Sequence, residues 1–459
     1  MSDNKQNASN RREFLQNSSK IAIAGAAAGS LITPGLSLAR SAHAFGSDTI
    51  KIGLIGCGGR GTGASIQAMN TEGNVELVAM ADAFENRLGQ SRESCIADHN
   101  EKVRVPEERQ FVGFDAYKGV LDSDADMVIL ATPPGFRPLH FEAAIDAGKH
   151  VFMEKPVAVD APGVRRVLKA GEIAKEKNLA VAVGLQRRHE RLYREVIERL
   201  KDGAIGDLIY SRAYWNGAGV WVRPREEGQS ELEYQMRNWY YFNWLCGDHI
   251  TEQHIHNIDV INWLLDDYPV KAQGQGGRLV RTGIDHGEIY DHHLVEFTYA
   301  NGHKMYSHCR HQPQCWNSVS EHVHGSKGYS DINRGIIYDN DGNEIFRSKG
   351  SRGGHQQEHH DLFADIRNGI IPNEAEYGAK STMTSIFGRL VNYTGKELKW
   401  DDAINSNISL CDVDVLKDMK NDQAPVVPDG EGRYRIARPG NTEGVIDWNP
   451  NPKRKKRNS

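Results

Sequence analysis

The chain of 459 residues carries 56 basic and 61 acidic side chains and a formal net charge of −5. That length allows two domains, and a mildly acidic body excludes nucleic acid and anionic membrane surfaces as partners. Six cysteines with no C-x-x-C spacing exclude a zinc knuckle and a dense disulfide framework.

The first predicted element in chain order is an export signal. Arg11 and Arg12 precede Phe14 and Leu15, a weakly apolar run rich in Ala and Gly extends from Ile21 to Thr33, and Ala42-His43-Ala44 supplies small residues for cleavage before Phe45. That order predicts a signal peptide over 1–44, and the paired arginines predict the twin-arginine type, whose export machinery carries folded proteins to the periplasm. Spanning a bilayer takes about 20 apolar residues; neither this run nor any later one is long enough, so no stable membrane insertion is expected. Cleavage removes five basic and two acidic residues and takes the net charge to −8. The basic end Lys453–Arg457 reads as solvated chain.

Residues 45–185 alternate short apolar runs with amphipathic helical patterns. The runs at 49–56, 76–82, 127–131, 150–154 and 179–185 read as buried parallel strands, which predicts a doubly wound α/β domain. Gly56-x-Gly58-x-x-Gly61 follows the first run and opens a helix, the context in which glycines let backbone approach a pyrophosphate. Asp82 ends the second run, where a carboxylate binds ribose hydroxyls and repels a 2′-phosphate. NAD is therefore expected over NADP, a preference that nearby Arg87 weakens.

The pattern changes over 186–421. A helix, a strand near 208–215, an aromatic-rich loop, a helix near 249–265 and alternating strands around an Asn301-Gly302 hairpin turn predict an α+β domain with a large, mostly antiparallel sheet. Helices near 357–369 and 378–394 follow, and residues 422–459 read as an extended arm. On the helix over 249–265, His249, Glu252, Gln253 and His256 fall on one face at i, i+3, i+4 and i+7. Gln186 and Arg187 close a strand, where polar side chains can meet hydroxyls, and Trp215 belongs to an aromatic-rich stretch suited to sugar rings. No H-E-x-x-H or similar spacing is read among the 19 histidines, so no metal is expected.

Glu154-Lys155-Pro156 stands at the C-terminal end of the run 150–154. Together with the glycine motif, Ala131-Thr-Pro-Pro134, Ala147–Pro156 and His256–Leu265, it makes most of residues 49–400 resemble the Gfo/Idh/MocA family of sugar and polyol oxidoreductases. The resemblance implies a Rossmann domain joined to a C-terminal α/β domain. It implies cofactor contacts from Gly56, Gly58, Gly59, Arg60, Gly61, Asp82, Thr132, Pro133, Glu154 and Lys155. It makes Lys155 the donor to the reacting hydroxyl and His256 the proton acceptor, with Glu252 where the family usually has aspartate. Gln186, Arg187, Trp215, His249 and Gln253 would face a carbohydrate substrate, and the family's open sheet implies a homodimer or homotetramer. A protein that loads NAD before export would hold it tightly and recycle it in place. An NAD-dependent glycosidase working through a transient keto-sugar, and a non-catalytic NAD-containing binding protein, remain the alternatives.

Overall fold

The apolar runs pair in a computed structural model that describes residues 49–448; the export signal read over 1–44 lies outside those residues. β1 (Ile50–Ile55), β2 (Val75–Asp82), β3 (Gln110–Val112), β4 (Met127–Leu130), β5 (His150–Met153) and β6 (Val181–Val183) form one sheet in the order β3-β2-β1-β4-β5-β6. Every pairing is parallel. Helices cover both faces, so the central strands are buried on both sides and read as continuous apolar runs. Only β3 is not among the predicted strands, because three half-exposed residues at a sheet edge give no apolar run. Strand order reverses between β1 and β4, and a sheet of this kind takes its ligand in the crevice at that point.

The second sheet has nine strands: β7 (Leu208–Gly217), β8 (Lys271–Gly277), β9 (His292–Thr298), β10 (Lys304–His311), β11 (Ser318–Gly325), β12 (Gly328–Asp331), β13 (Ile336–Asp339), β14 (Glu344–Arg347) and β15 (Leu398–Lys399). They lie in the order β14-β13-β12-β11-β7-β10-β9-β8-β15, antiparallel except for the parallel pair β7–β10. β10 alternates partly exposed and buried residues along its whole length, as a sheet packed on one face requires. Gly302, at φ +86°, makes the predicted turn between β9 and β10.

The packed face meets the helices Ile255–Leu265 and Ala375–Thr394. The second of these is buried almost throughout, because it lies between the sheet and the helix Ala161–Glu176 of the first domain. One apolar core therefore runs through both domains and fixes their relation. A separate aromatic core joins Phe84, Phe114 and Phe136 of the first domain to Tyr241, Phe242, Trp244 and Val413 of the second, and to Tyr434 of the C-terminal arm.

The single helix expected over 249–265 is a correction. It is two helices, His249–Glu252 and Ile255–Leu265. The carbonyl of His249 accepts from both Gln253 N–H (3.0 Å) and His254 N–H (3.2 Å), which widens the turn by one residue. One extra residue rotates the second helix by about 100° relative to the first, so His256 no longer shares a face with His249.

Candidate active site in the interdomain cleft

The glycine loop divides its work by position. At Gly56 (φ +101°) a Cβ would lie 2.5 Å from Thr132 N, and at Gly61 it would lie 1.9 Å from the Gly56 carbonyl oxygen. These two glycines let backbone pack on backbone. Gly58 and Gly59 instead face open space, with nothing within 4 Å of a Cβ. The helix Gly59–Met69 begins there with no side-chain cap and no acidic residue in its first turn. Its N–H groups are thus left for an external anion, and the helix dipole favours one. This donor set fits the pyrophosphate of a dinucleotide.

Asp82 is held at the mouth of β2 by N–H bonds from Cys57 (2.7 Å) and Phe84 (2.8 Å). Burial pushes its carboxyl above the ordinary value, and the two backbone donors oppose that rise. Asp82, Arg87, Thr132 and Pro133 line one cleft of about 390 Å³ with the glycine loop, Glu154 and Lys155. Arg60 pairs with buried Glu154 at 2.6 Å. Beneath Thr132, buried Arg137 donates to its carbonyl (2.6 Å), while His140 Nδ1 lies 3.1 Å from its hydroxyl. Sequence reasoning missed both residues, which carry no motif.

Lys155 reaches across to the second domain. Its Nζ donates to the carbonyl of Glu252 at 2.8 Å and to Glu252 Oε1 at 3.1 Å, with both side chains 13% exposed. The longer glutamate chain, where an aspartate is usual, thus bridges back to the lysine. His256 lies on the next helix, is buried, is not itself among the residues lining that cleft, and stacks on Trp215 with ring centroids 6.0 Å apart. Its Nδ1 has no hydrogen-bond partner among the described residues. Burial, then the charge of Lys155, holds this imidazole well below its usual pKa, so it is neutral.

Other expected site residues lie elsewhere. Arg187 is a correction: its guanidinium is buried and paired with Glu321, which also accepts from Tyr193 and Asn257. Its side chain is held in that buried ion pair, and it is not among the residues that line the cleft. His249 is a second correction, because it is fully buried, its Nδ1 is taken by Asp248 Oδ1 at 2.8 Å, and its ring stacks on His311 at 4.5 Å. Gln253 accepts from His311 Nε2 at 2.8 Å, and Gln186 stays half-buried with an unpartnered Oε1.

Two clusters bear on metals. Asp248, His249 and His293 bring one ligand atom each within 4.8 Å of one another, the one such group among the described residues. The Asp248 carboxylate accepts from Tyr393 OH (2.5 Å), Tyr290 N–H (3.0 Å) and His249 N–H (2.5 Å), so protein donors fill its lone pairs. Burial lowers the His249 imidazole to about 4 against the pull of Asp248. The expected lack of any zinc-type spacing is a third correction: His355-x-x-Glu358-His359 is the H-x-x-E-H pattern. Its residues do not converge as the Asp248 group does. His359 packs on Phe152 at 4.3 Å, and burial pushes the Glu358 carboxyl well above its usual value.

Comparison with known proteins agrees with this arrangement. A family model described as "Oxidoreductase family, NAD-binding Rossmann fold" matches residues 50–185, and a "GFO/IDH/MocA C-terminal domain" model matches 193–330. The inositol 2-dehydrogenase of Rhizobium meliloti is 28% identical over 61% of this chain and 74% of its own. That of Paracoccus denitrificans is 30% identical over 49% of this chain and 57% of its own. Among solved structures, scyllo-inositol dehydrogenase from Lactobacillus casei superposes with TM-score 0.59 at 21% identity, over 77% of this chain and 100% of that one. An aldose-aldose oxidoreductase from Caulobacter crescentus gives TM-score 0.60 at 16% identity, with the same coverage. At these identities the two structures show the shared fold.

Proposed function

This chain belongs to the Gfo/Idh/MocA family of oxidoreductases, and from that premise we propose that it transfers hydride between NAD and a secondary hydroxyl of a sugar or polyol. The observation that carries the reading is Lys155, fixed by Glu252 in the same cleft as the glycine loop and Asp82. The names of the inositol 2-dehydrogenase relatives support a polyol or sugar substrate. Bound NAD supplies the hydride acceptor. The chain's own part is to bind, orient and move a proton. Lys155 Nζ donates to the substrate oxygen and stabilises negative charge growing there. Glu252 holds that ammonium in place, and the neutral imidazole of His256 takes the hydroxyl proton.

Export in the folded state by the twin-arginine route belongs to the same proposal and is supported by Arg11-Arg12 and the Ala42-His43-Ala44 site. So does recycling of the nucleotide in place. The test is to incubate the purified protein with a panel of polyols, aldoses and glycosides and follow absorbance at the NADH wavelength. NADH formed with a polyol or sugar, and lost in Lys155→Ala, supports the reading. Glycoside cleavage without net NADH replaces it with the glycosidase, and silence across the panel with a binding protein.

A further inference from the structure

One wall of the cleft is not part of the Rossmann domain at all. Trp221, Arg223, Met236 and Trp239 of the second domain line the same cavity as Asp82, Phe84, Arg87 and Phe114. They belong to the aromatic segment after β7. Part of that segment packs firmly: helix Glu231–Arg237 is capped by Ser230, whose Oγ accepts from Glu233 N–H at 3.0 Å. Met236 is buried in the aromatic core, against which Trp239, Ala83, Phe84 and Phe114 also pack. The turn that carries Asp82 is thereby tied to this segment.

The outer part is more open. Trp221 is 40% exposed and meets Trp239, Tyr240 and Tyr241 edge-on at 5.8, 6.0 and 6.5 Å. Arg223 lies over the Trp221 ring at 5.1 Å, and its N–H donates to Asn238 Oδ1 at 3.0 Å. Charge here is lopsided: Arg87, Arg223 and Arg237 stand near one another, while Asp82 is the acid on the cleft wall beside them. Arg237 is neutralised by Glu226 at 2.5 Å; for Arg87 and Arg223 no ion pair is formed among the described residues. Flat aromatic faces beside two unpaired guanidinium groups suit an adenine base joined to phosphates.

We infer that the segment 221–239 encloses the adenosine half of the dinucleotide, so that NAD leaves only when this wall moves and stays with the protein as a resident cofactor. The inference rests on the proposed dinucleotide site and names the residues that retain the nucleotide. No substrate is needed to test it. The full chain loaded with NADH is passed through gel filtration, and release is followed by the loss of energy transfer from tryptophan to NADH. Trp221→Ala and Arg223→Ala, both at exposed positions, are expected to release NADH at least tenfold faster. Trp239→Phe is expected to lower the transferred emission. On the wild-type chain first freed of bound nucleotide, ADP-ribose and AMP are expected to quench tryptophan emission and nicotinamide mononucleotide to leave it unchanged. Release within twofold of wild type in both variants, or quenching by the nicotinamide fragment alone, overturns the inference. Retained NADH, with no sugar oxidised by the same chain loaded with NAD+, would end the oxidoreductase reading and leave this one standing.

Discussion

The two walls of the dinucleotide cleft are built from different material. The inner wall is backbone, shaped by glycines that let the turn after β1 press against Ala131 and Thr132 and present bare N–H groups. The outer wall is side chain: Trp221, Arg223, Met236 and Trp239, carried by a segment more than a hundred residues further along the chain. Backbone walls are unforgiving of added atoms but indifferent to most chemistry. Side-chain walls tolerate substitution and set how long a ligand stays.

Lys155 stands where the walls meet, and its removal should have the largest effect. Lys155→Ala is expected to lower kcat by about 10²–10³-fold, the range for losing one donor to a developing oxyanion. NAD retention should be nearly unchanged, because the glycine loop and Asp82 remain. An equal loss of NAD binding and rate would mean that the lysine holds cofactor and does no chemistry.

A pair of glycine variants separates packing from binding on the inner wall. A Cβ at Gly61 would sit 1.9 Å from a carbonyl oxygen, so the backbone must shift. Gly61→Ala is expected to destabilise the protein by about 1–3 kcal/mol, the usual range for overpacking, and to weaken NAD binding. A Cβ at Gly58 meets nothing within 4 Å, and its φ of −74° suits any residue. Gly58→Ala should leave the melting temperature within a degree or two and still weaken NAD, because it fills space beside the bare helix N-terminus. Equal melting losses in the two variants would show that the loop's glycines serve folding alone.

How much of this was legible in the sequence obeys the same division. The glycine spacing, Asp82 and Glu154-Lys155-Pro156 are local, and strand, turn and helix chemistry places them without long-range knowledge. Arg187 looked like a free donor at a strand end, since Glu321, the partner that buries it, lies on β11. His256 looked like a member of the His249 face because a one-residue widening leaves no mark in apolar periodicity. Trp221 and Arg223 looked like loop. Pairs of distant residues decide each of these, and a single sequence does not show which pairs meet.

The smallest expected effect concerns a contact made by side chains alone. His189, just after β6, meets Asp361 Oδ2 at 2.8 Å and Glu374 Oε1 at 3.5 Å, joining the first domain's last strand to two late helices. Burial by itself would lower this imidazole, but the two carboxylates outweigh it and raise the folded value to about 9. The unfolded value is about 6.5. A raised folded value means the stabilisation is fully present below pH ~6.5 and is lost as pH climbs through ~9, by an amount on the order of 2 kcal/mol. His189→Gln removes the titrating group and keeps the shape. The gap in urea midpoint between wild type and His189→Gln should therefore be widest at pH 6 and close by pH 9.5. A gap that stays constant with pH would mean that His189 holds these helices by packing and neutral hydrogen bonds, and that its carboxylate neighbours are already satisfied by Arg194 and the surrounding backbone.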